Sequence, residues 1–417
     1  MALHDGLERW LVSSTAPEPR TRRDRCPGLL ALHEAADGWL ARVRIPGGRL
    51  SDAQLRALGS AAGALGNGLV DITARANLQL RGLRADAAPQ LAARLSGVGL
   101  LPSRAHDRVR NVLASPLAGR SRAALDDVDD VVELLDTQLC ADPALGELPG
   151  RFCFLVDDGT GAGSDVRPDI TIAARGDGAF AILLDAQTLA FEGDAGAAVA
   201  LALCAAGAFL DVGGDAWRMS ETPGGAGSVA RRLGIALAVA RRRPRRAAAL
   251  DPGPQRQRDG RVAVTGLAPL GQLSPAVLLE LARLRDDVRL STRRTVTLVD
   301  VDPDEADAAG EALQHCGLQI DGASGWVGLT ACAGIGACPS ALADVRAAAA
   351  QRARVRLPGA PIEHWAACGR RCGESADVGV AVAVQGTVSV AVRSGTREWT
   401  EPTLEAARAG LLVEAVG

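Results

Sequence analysis

A chain of 417 residues is too long for one compact core and suits two to four packed units. Its 47% hydrophobic and 23% charged residues form a globular balance that excludes a disordered chain. The 46 basic and 49 acidic side chains leave a formal net charge of -3, which excludes nucleic-acid binding by bulk charge. No Lys occurs, so every fixed cation is Arg.

Residues 1–24 read as an N-terminal extension. The opening MALHDGLERW has no apolar signal core. Two uncharged stretches stand out further on. Residues 322–343 are interrupted by Gly, Ser, Cys and Pro. Residues 195–210 are Ala-rich but shorter than the roughly 20 residues of a spanning helix, so a buried helix is expected and no membrane. The nine Cys are then expected in a reducing cytoplasm, where clustered thiols bind metal more often than they form disulfides.

Residues 41–83 contain ARVRIPGGRLSDAQLRALG and then VDITARANLQLRGL. Residues 262–301 contain VAVTGLAPLGQLSPAVLLELARL and then VRLSTRRTVTLVDV. Each predicts a strand, a Gly/Pro turn, a Ser-started amphipathic helix and a second strand. Leu50-Ser51 corresponds to Leu273-Ser274, and Thr73-Ala74-Arg75 to Ser291-Thr292-Arg293, which points to duplication. A longer mixed segment follows each repeat. After the first, a helix is expected around 127–140 and strands at 151–156 and 169–173. After the second come a Cys-bearing loop, a helix from about 339 to 352 and strands within 378–392. The Arg- and Pro-rich residues 241–260 read as the connection between halves. Their basic run lacks interleaved aromatics, which disfavours a nucleic-acid patch.

Thr73, Arg75, Asn77, Gln79 and Arg81 alternate, so on one strand they would share a polar face suited to an anionic ligand. A solvated sheet face is the plainer alternative. The Gly-rich stretches 159–163 and 224–227 do not form a dinucleotide-binding unit, so no nicotinamide site is expected.

The strongest chemical signal is Cys332 and Cys338 as C-x5-C, followed by Cys368 and Cys372 as C-x3-C. Four thiolates in two close pairs suit a four-thiolate metal centre. Gly334 and Gly336 would let backbone N–H groups approach cluster sulfurs, and Pro339 suggests that Cys338 opens a helix. Arg370 and Arg371 can offset thiolate charge. Buried free thiols and structural zinc are the alternatives, although C-x5-C is wide for zinc. Cys140 and Cys204 fall in apolar helical patterns and read as core. His106 and His364 are weak candidates for holding a non-haem iron.

This cysteine pattern, with His364-Trp365 ahead of the second pair, resembles the sulfite and nitrite reductase hemoprotein family. Arg42-Val-Arg44-Ile-Pro, Thr73-Ala-Arg75-Ala-Asn77-Leu-Gln79, Arg110-Asn111-Val112 and Leu148-Pro149-Gly-Arg151-Phe152 resemble its blocks in order. The resemblance implies an α+β fold of two pseudo-twofold-related halves. Each would be a small ferredoxin-like half-domain (25–100 and 261–320) followed by a larger reductase-type α+β domain (101–240 and 321–417). It implies a [4Fe–4S] cluster on the four Cys and a tetrapyrrole gripped by Arg42, Arg44, Thr73, Arg75, Asn77, Gln79, Arg81, Arg110 and Arg151. In the reductases the tetrapyrrole is siroheme, and four basic side chains bind a small oxyanion. Arg42, Arg110, Arg151 and Cys153 resemble those four positions, and Cys153 departs because a thiol carries no fixed charge. The wording RANLQLRG, NVLASPLAG and LPGRFCFLVDDG is more similar to the precorrin-3B synthase branch of aerobic cobalamin biosynthesis. That branch implies an oxidoreductase of monooxygenase type acting on a metal-free tetrapyrrole substrate. It also implies a [4Fe–4S] cluster, a mononuclear non-haem iron and an external electron donor of ferredoxin or flavoprotein type.

Overall fold

The computed structural model describes residues 24, 26–238, 251–375, 377–386 and 389–414. Residues 1–23 of the expected extension and 241–250 of the expected connection lie outside them. The first repeat runs β1 (His33–Ala35), β2 (Gly38–Val43), β3 (Arg49–Leu50), α1 (Asp52–Leu65), β4 (Val70–Ile72), β5 (Leu78–Leu83) and α2 (Ala88–Ser96). A larger unit follows: β6 (Val112–Ala114), α3 (Asp129–Ala141), β7 (Phe154–Asp157), β8 (Ile170–Gly176), β9 (Ala179–Leu184), β10 (Gln187–Thr188), α4 (Ala195–Gly213) and α5 (Gly225–Leu233). The second repeat holds β11 (Gly253–Arg256), β12 (Val262–Leu267), β13 (Gln272–Leu273), α6 (Pro275–Leu284), β14 (Val288–Leu290), β15 (Thr295–Val301) and α7 (Ala306–His315). Its larger unit holds β16 (Leu329–Ala331), α8 (Val345–Ala353), β17 (Glu363–Ala366), β18 (Val380–Gln385), β19 (Ser389–Ser394), β20 (Arg397–Glu401) and α9 (Leu404–Glu414).

The duplication is explicit in the sheets. The first half-domain sheet has the order β1-β2-β5-β4-β13 and the second β11-β12-β15-β14-β3, so each borrows a two-residue strand from the other repeat. Gln272 lies opposite Asp71 in one sheet and Arg289 opposite Arg49 in the other. The larger units also match: β6, β7 and β8 are parallel and β9 and β10 antiparallel, as are β16 to β18 against β19 and β20.

Ser51 caps α1 in a capping box with Gln54, and Ser274 caps α6 with Pro275 in the first turn. Both helices turn an apolar stripe inward, with Leu55 and Leu58 on α1 and Leu278 and Leu281 on α6 in one core shared by the two half-domains. Shared strands and a shared core make the two repeats one folding unit.

Four expectations need correction. Residues 253–256, placed in the connection, form the edge strand β11 against β12. Residues 73–77 are a turn between β4 and β5, so Thr73 to Arg81 do not share one strand. No helix starts at Pro339; α8 starts after Asp344, whose carboxylate accepts from the Ala347 N–H. Cys204 is exposed on α4 and Cys140 is partly buried, so neither is a core residue. Among the described residues, α4 is the helix long and apolar enough to cross a membrane by length and composition. Ala198, Ala202, Ala205 and Phe209 bury one of its faces in the core of the first larger unit.

Candidate functional site

The same turn is built twice. Thr73 Oγ1 accepts from the N–H groups of Arg75 and Asn77 at 3.3 and 3.2 Å. Ser291 Oγ accepts from Arg293 and Thr295 at 3.1 and 3.4 Å. Ala76 (φ 52°) and Arg294 (φ 62°) occupy the equivalent left-handed position. The first turn places Arg75 in a cavity of about 660 Å3 between the halves. In the second turn, Arg293 is neutralised by Asp165 and Asp377. Arg294 reaches the 660 Å3 cavity instead.

Six arginines line this cavity: Arg42, Arg75, Arg81, Arg151, Arg294 and Arg346. Thr73, Asn77, Gln79, Trp217, Cys332 and Cys372 join them. The site therefore brings both halves and one Cys of each pair to one space. Arg42 donates to Gln79 Oε1 at 3.0 Å while its buried Nε has no protein partner. Burial lowers the Arg42 pKa, with Arg75 and Arg151 adding repulsion and Cys26 and Asp24 opposing it. Burial and the Arg346 charge push Arg294 down to about 10. Arg346 is lowered by burial and by Arg81, while Asp71 opposes this. Such crowded, desolvated cations are stabilised by a ligand bearing several carboxylates.

Other expected residues brace the cavity. Arg81 makes a two-point contact with Asp37 at 2.9 and 3.0 Å and donates to the Ala337 carbonyl at 2.9 Å, tying β5 to the first Cys loop. Asn77 donates to Asn111, which donates to the carbonyls of Gly150 and Phe152 on either side of Arg151.

Arg44, Arg110 and Cys153 stand outside the cavity lining. Arg44 donates to the Arg108 carbonyl, and burial with the neighbouring Arg42 charge pushes it down to about 9. Arg110 makes two hydrogen bonds of 2.7 and 2.6 Å to Asp136 on α3. Cys153 is fully buried in the core, and burial raises its thiol pKa. His106 is in a turn, its ring nitrogens held by Ser103 Oγ at 2.7 Å and the Asp142 carbonyl at 2.9 Å, which leaves neither for a metal. His364 accepts or donates through Nδ1 to Thr330 Oγ1 at 2.8 Å. Its Nε2 is buried toward the Cys372 backbone without a well-formed hydrogen bond. Burial and the Arg294 charge push the ring down to about 3, so it is neutral at physiological pH.

The cysteine loops fold as tight turns. Cys338 N–H donates to the Gly334 carbonyl at 3.0 Å, and Gly334 and Gly336 have φ of 75° and 83°. Cys332 Sγ accepts from the Ala367 N–H at 3.2 Å. Burial, then the neighbouring Cys368, Cys332 and Cys338, raise the Cys372 thiol. Yet among the described residues no three His, Cys, Asp or Glu side chains gather closely enough for a single metal ion. The two thiol pairs, with Cys332 and Cys372 both lining the cavity, offer the four-thiolate donor set of a metal centre.

Arg294, Arg346 and Trp217 are absent from the sequence expectations. For Arg294 the one signal is the Arg293-Arg294 pair at the position matching Arg75-Ala76, and no such signal marks Arg346 or Trp217.

Comparison with known proteins agrees with this architecture. A model of the nitrite/sulfite reductase ferredoxin-like half domain matches residues 33–98 and 254–316, the two repeats. A ferredoxin–nitrite reductase of Synechococcus elongatus is 32% identical over 168 residues, 38% of this chain and 33% of that protein. A precorrin-3B synthase of Sinorhizobium sp is 48% identical over 71 residues, 17% of this chain and 16% of that protein. The chloroplastic ferredoxin–nitrite reductase of Zea mays is 27% identical over 397 residues, 82% of this chain and 69% of that protein. The chain thus spans a third or less of the two bacterial relatives. The structure of Mycobacterium tuberculosis NirA superposes with a TM-score of 0.70 at 18% identity, covering 89% of this chain and 79% of that one, which establishes the shared fold.

Proposed function

We propose that this chain, which carries the half domain of the nitrite/sulfite reductase family twice on that family's fold, is an oxidoreductase of precorrin-3B synthase type. In this reading the arginine cavity holds a metal-free polycarboxylate tetrapyrrole, in a reducing cytoplasm. Dioxygen is the oxidant: one oxygen atom enters precorrin-3A as a hydroxyl at a meso carbon, and the other leaves as water. That step consumes two protons and two electrons from an external donor such as a ferredoxin or flavoprotein. A ring acetate then closes a γ-lactone, its oxygen bonding to the ring carbon beside that meso carbon as the C=C π bond between the two is consumed and its proton passing to the new hydroxyl oxygen.

The carrying observation is the fate of the four positions expected to bind a small oxyanion. Arg42 and Arg151 line the cavity, Arg110 is spent on Asp136, and Cys153 is core. A reductase that concentrates positive charge over its iron would have lost half of that set. Cys332, Cys338, Cys368 and Cys372 would hold a [4Fe–4S] cluster, which supplies one-electron transfer beside the cavity. The protein's own residues do the binding. Arg75, Arg294 and Arg346 meet ligand carboxylates from both halves, while Asn77 and Arg81 keep the cavity walls in register. A mononuclear non-haem iron belongs to this reading as well. His106 is not available to it, because both ring nitrogens are engaged.

The second reading, a siroheme-dependent sulfite or nitrite reductase, draws on the longer alignment with the Zea mays enzyme. Incubating the purified protein with precorrin-3A, oxygen and a reducing system separates the two. Formation of the hydroxylated lactone is expected. Sulfite or nitrite reduction without any change in precorrin-3A would establish the second reading instead.

A further inference from the structure

We infer that Trp217 is a positioning residue that holds Arg151 ready for an anionic group of the cavity ligand; the inference rests on the polycarboxylate reading above. Arg151 is exposed, and a long exposed side chain loses rotamer entropy when a ligand fixes it. Its guanidinium carbon lies 4.9 Å from the centroid of the Trp217 ring, inside cation–π range. Both side chains line the cavity.

One buried carboxylate sets the register of the pair. Asp169 accepts from the Cys153 N–H at 2.9 Å, the Met219 N–H at 2.7 Å and Arg218 Nε at 3.0 Å. It therefore clips the backbone two residues beyond Arg151 to the backbone two residues beyond Trp217. Arg218 also donates to the Arg167 carbonyl, and Trp217 N–H donates to Glu221 Oε2 at 2.9 Å. The backbone that carries the indole is thus held at Trp217 itself and through the two residues that follow it. A guanidinium lying over a ring uses its face for the aromatic contact. Its N–H edge stays available for two-point binding of a carboxylate. Ordering the arginine before the ligand arrives lowers the entropy lost on binding.

The test is equilibrium binding of metal-free uroporphyrin III, a porphyrin with eight carboxylates, followed by its absorbance change. Wild type is compared with Trp217→Leu, Trp217→Phe, Arg151→Ala and the Arg151→Ala/Trp217→Leu double variant, each with its melting temperature. Trp217→Leu is expected to weaken binding roughly three- to thirtyfold, and Trp217→Phe less than threefold. The double variant is expected to bind no more weakly than Arg151→Ala, because the indole acts through the arginine. Unchanged affinity in Trp217→Leu, or a double variant whose losses multiply, overturns the inference and leaves the polycarboxylate reading standing. A wild type that does not bind uroporphyrin III overturns both.

Discussion

Arg289 on β14 reaches Asp129 at the start of α3 with both Nη groups at 2.8 Å, locking the second repeat onto the first larger unit. Arg289 also contacts Asp287, and Arg120 joins Asp129 to Asp300. Burial alone would raise the Asp129 carboxyl, but the Arg289 and Arg120 hydrogen bonds and charges outweigh it and hold the pKa below its ordinary value. Stabilisation from this group is therefore complete above an ordinary carboxyl pKa of about 3.9 and is lost as pH falls through the lower folded value.

Asp129→Asn is accordingly expected to destabilise the protein by about 1.5–3 kcal/mol near neutral pH. Thermal melts from pH 6 to pH 3 check this. The gap to wild type should be full at pH 6 and narrow below about pH 4, and a gap that stays constant would refute the linkage.

The contrast between Arg75 and Arg110 gives a second prediction. Arg75 lines the cavity, whereas Arg110 is buried against Asp136. Arg75→Ala should weaken binding of a polycarboxylate porphyrin about ten- to a hundredfold with little change in melting temperature. Arg110→Ala should lower stability by about 2–4 kcal/mol, because it strands Asp136, with affinity nearly unchanged in the folded fraction. Titration and calorimetry on both variants would expose a reversed assignment.

Iron and acid-labile sulfide content tests the cysteine assignment. Cys368→Ser should lose most of both, whereas Cys204→Ser, on the exposed face of α4, should keep both. Equal metal content in the two variants would reject the four-thiol centre.

Two glycines make the pseudo-twofold join. A Cβ on Gly48 (φ 70°) would sit 2.4 Å from the Leu290 carbonyl oxygen, and one on Gly271 (φ 75°) 3.0 Å from that of Ile72 and 2.5 Å from Arg294 Cδ. Gly48→Ala should cost roughly 1–3 kcal/mol in denaturant unfolding. Gly271→Ala should also weaken porphyrin binding by displacing Arg294. Wild-type affinity in a folded Gly271→Ala protein would count against a ligand role for Arg294.

Much of the architecture was legible because duplication repeats its local signals. The Ser51 and Ser274 caps and the alternating strands around them appear in both halves. The misreadings have local causes. Thr73, Arg75 and Asn77 mimic strand alternation, but Thr73 Oγ1 closes a turn and Ala76 takes a left-handed φ. Pro339 suggested a helix start, yet Asp344 supplies the cap. Cys204 lies among apolar residues but off the stripe set by Ala198, Ala202, Ala205 and Phe209. Residues 253–256 (GPQR) are too polar to read as a strand, which an edge position tolerates. Arg294 and Arg346 could not be placed from sequence because only the packing of the halves turns them toward the cavity of Arg75.

The most direct test is the absorption spectrum of anaerobically purified protein, with its pigments extracted and identified. Broad iron–sulfur absorption with no siroheme in the extract is the expected result. Strong siroheme bands, or a colourless protein containing zinc, would contradict a cluster-bearing clasp for a metal-free macrocycle.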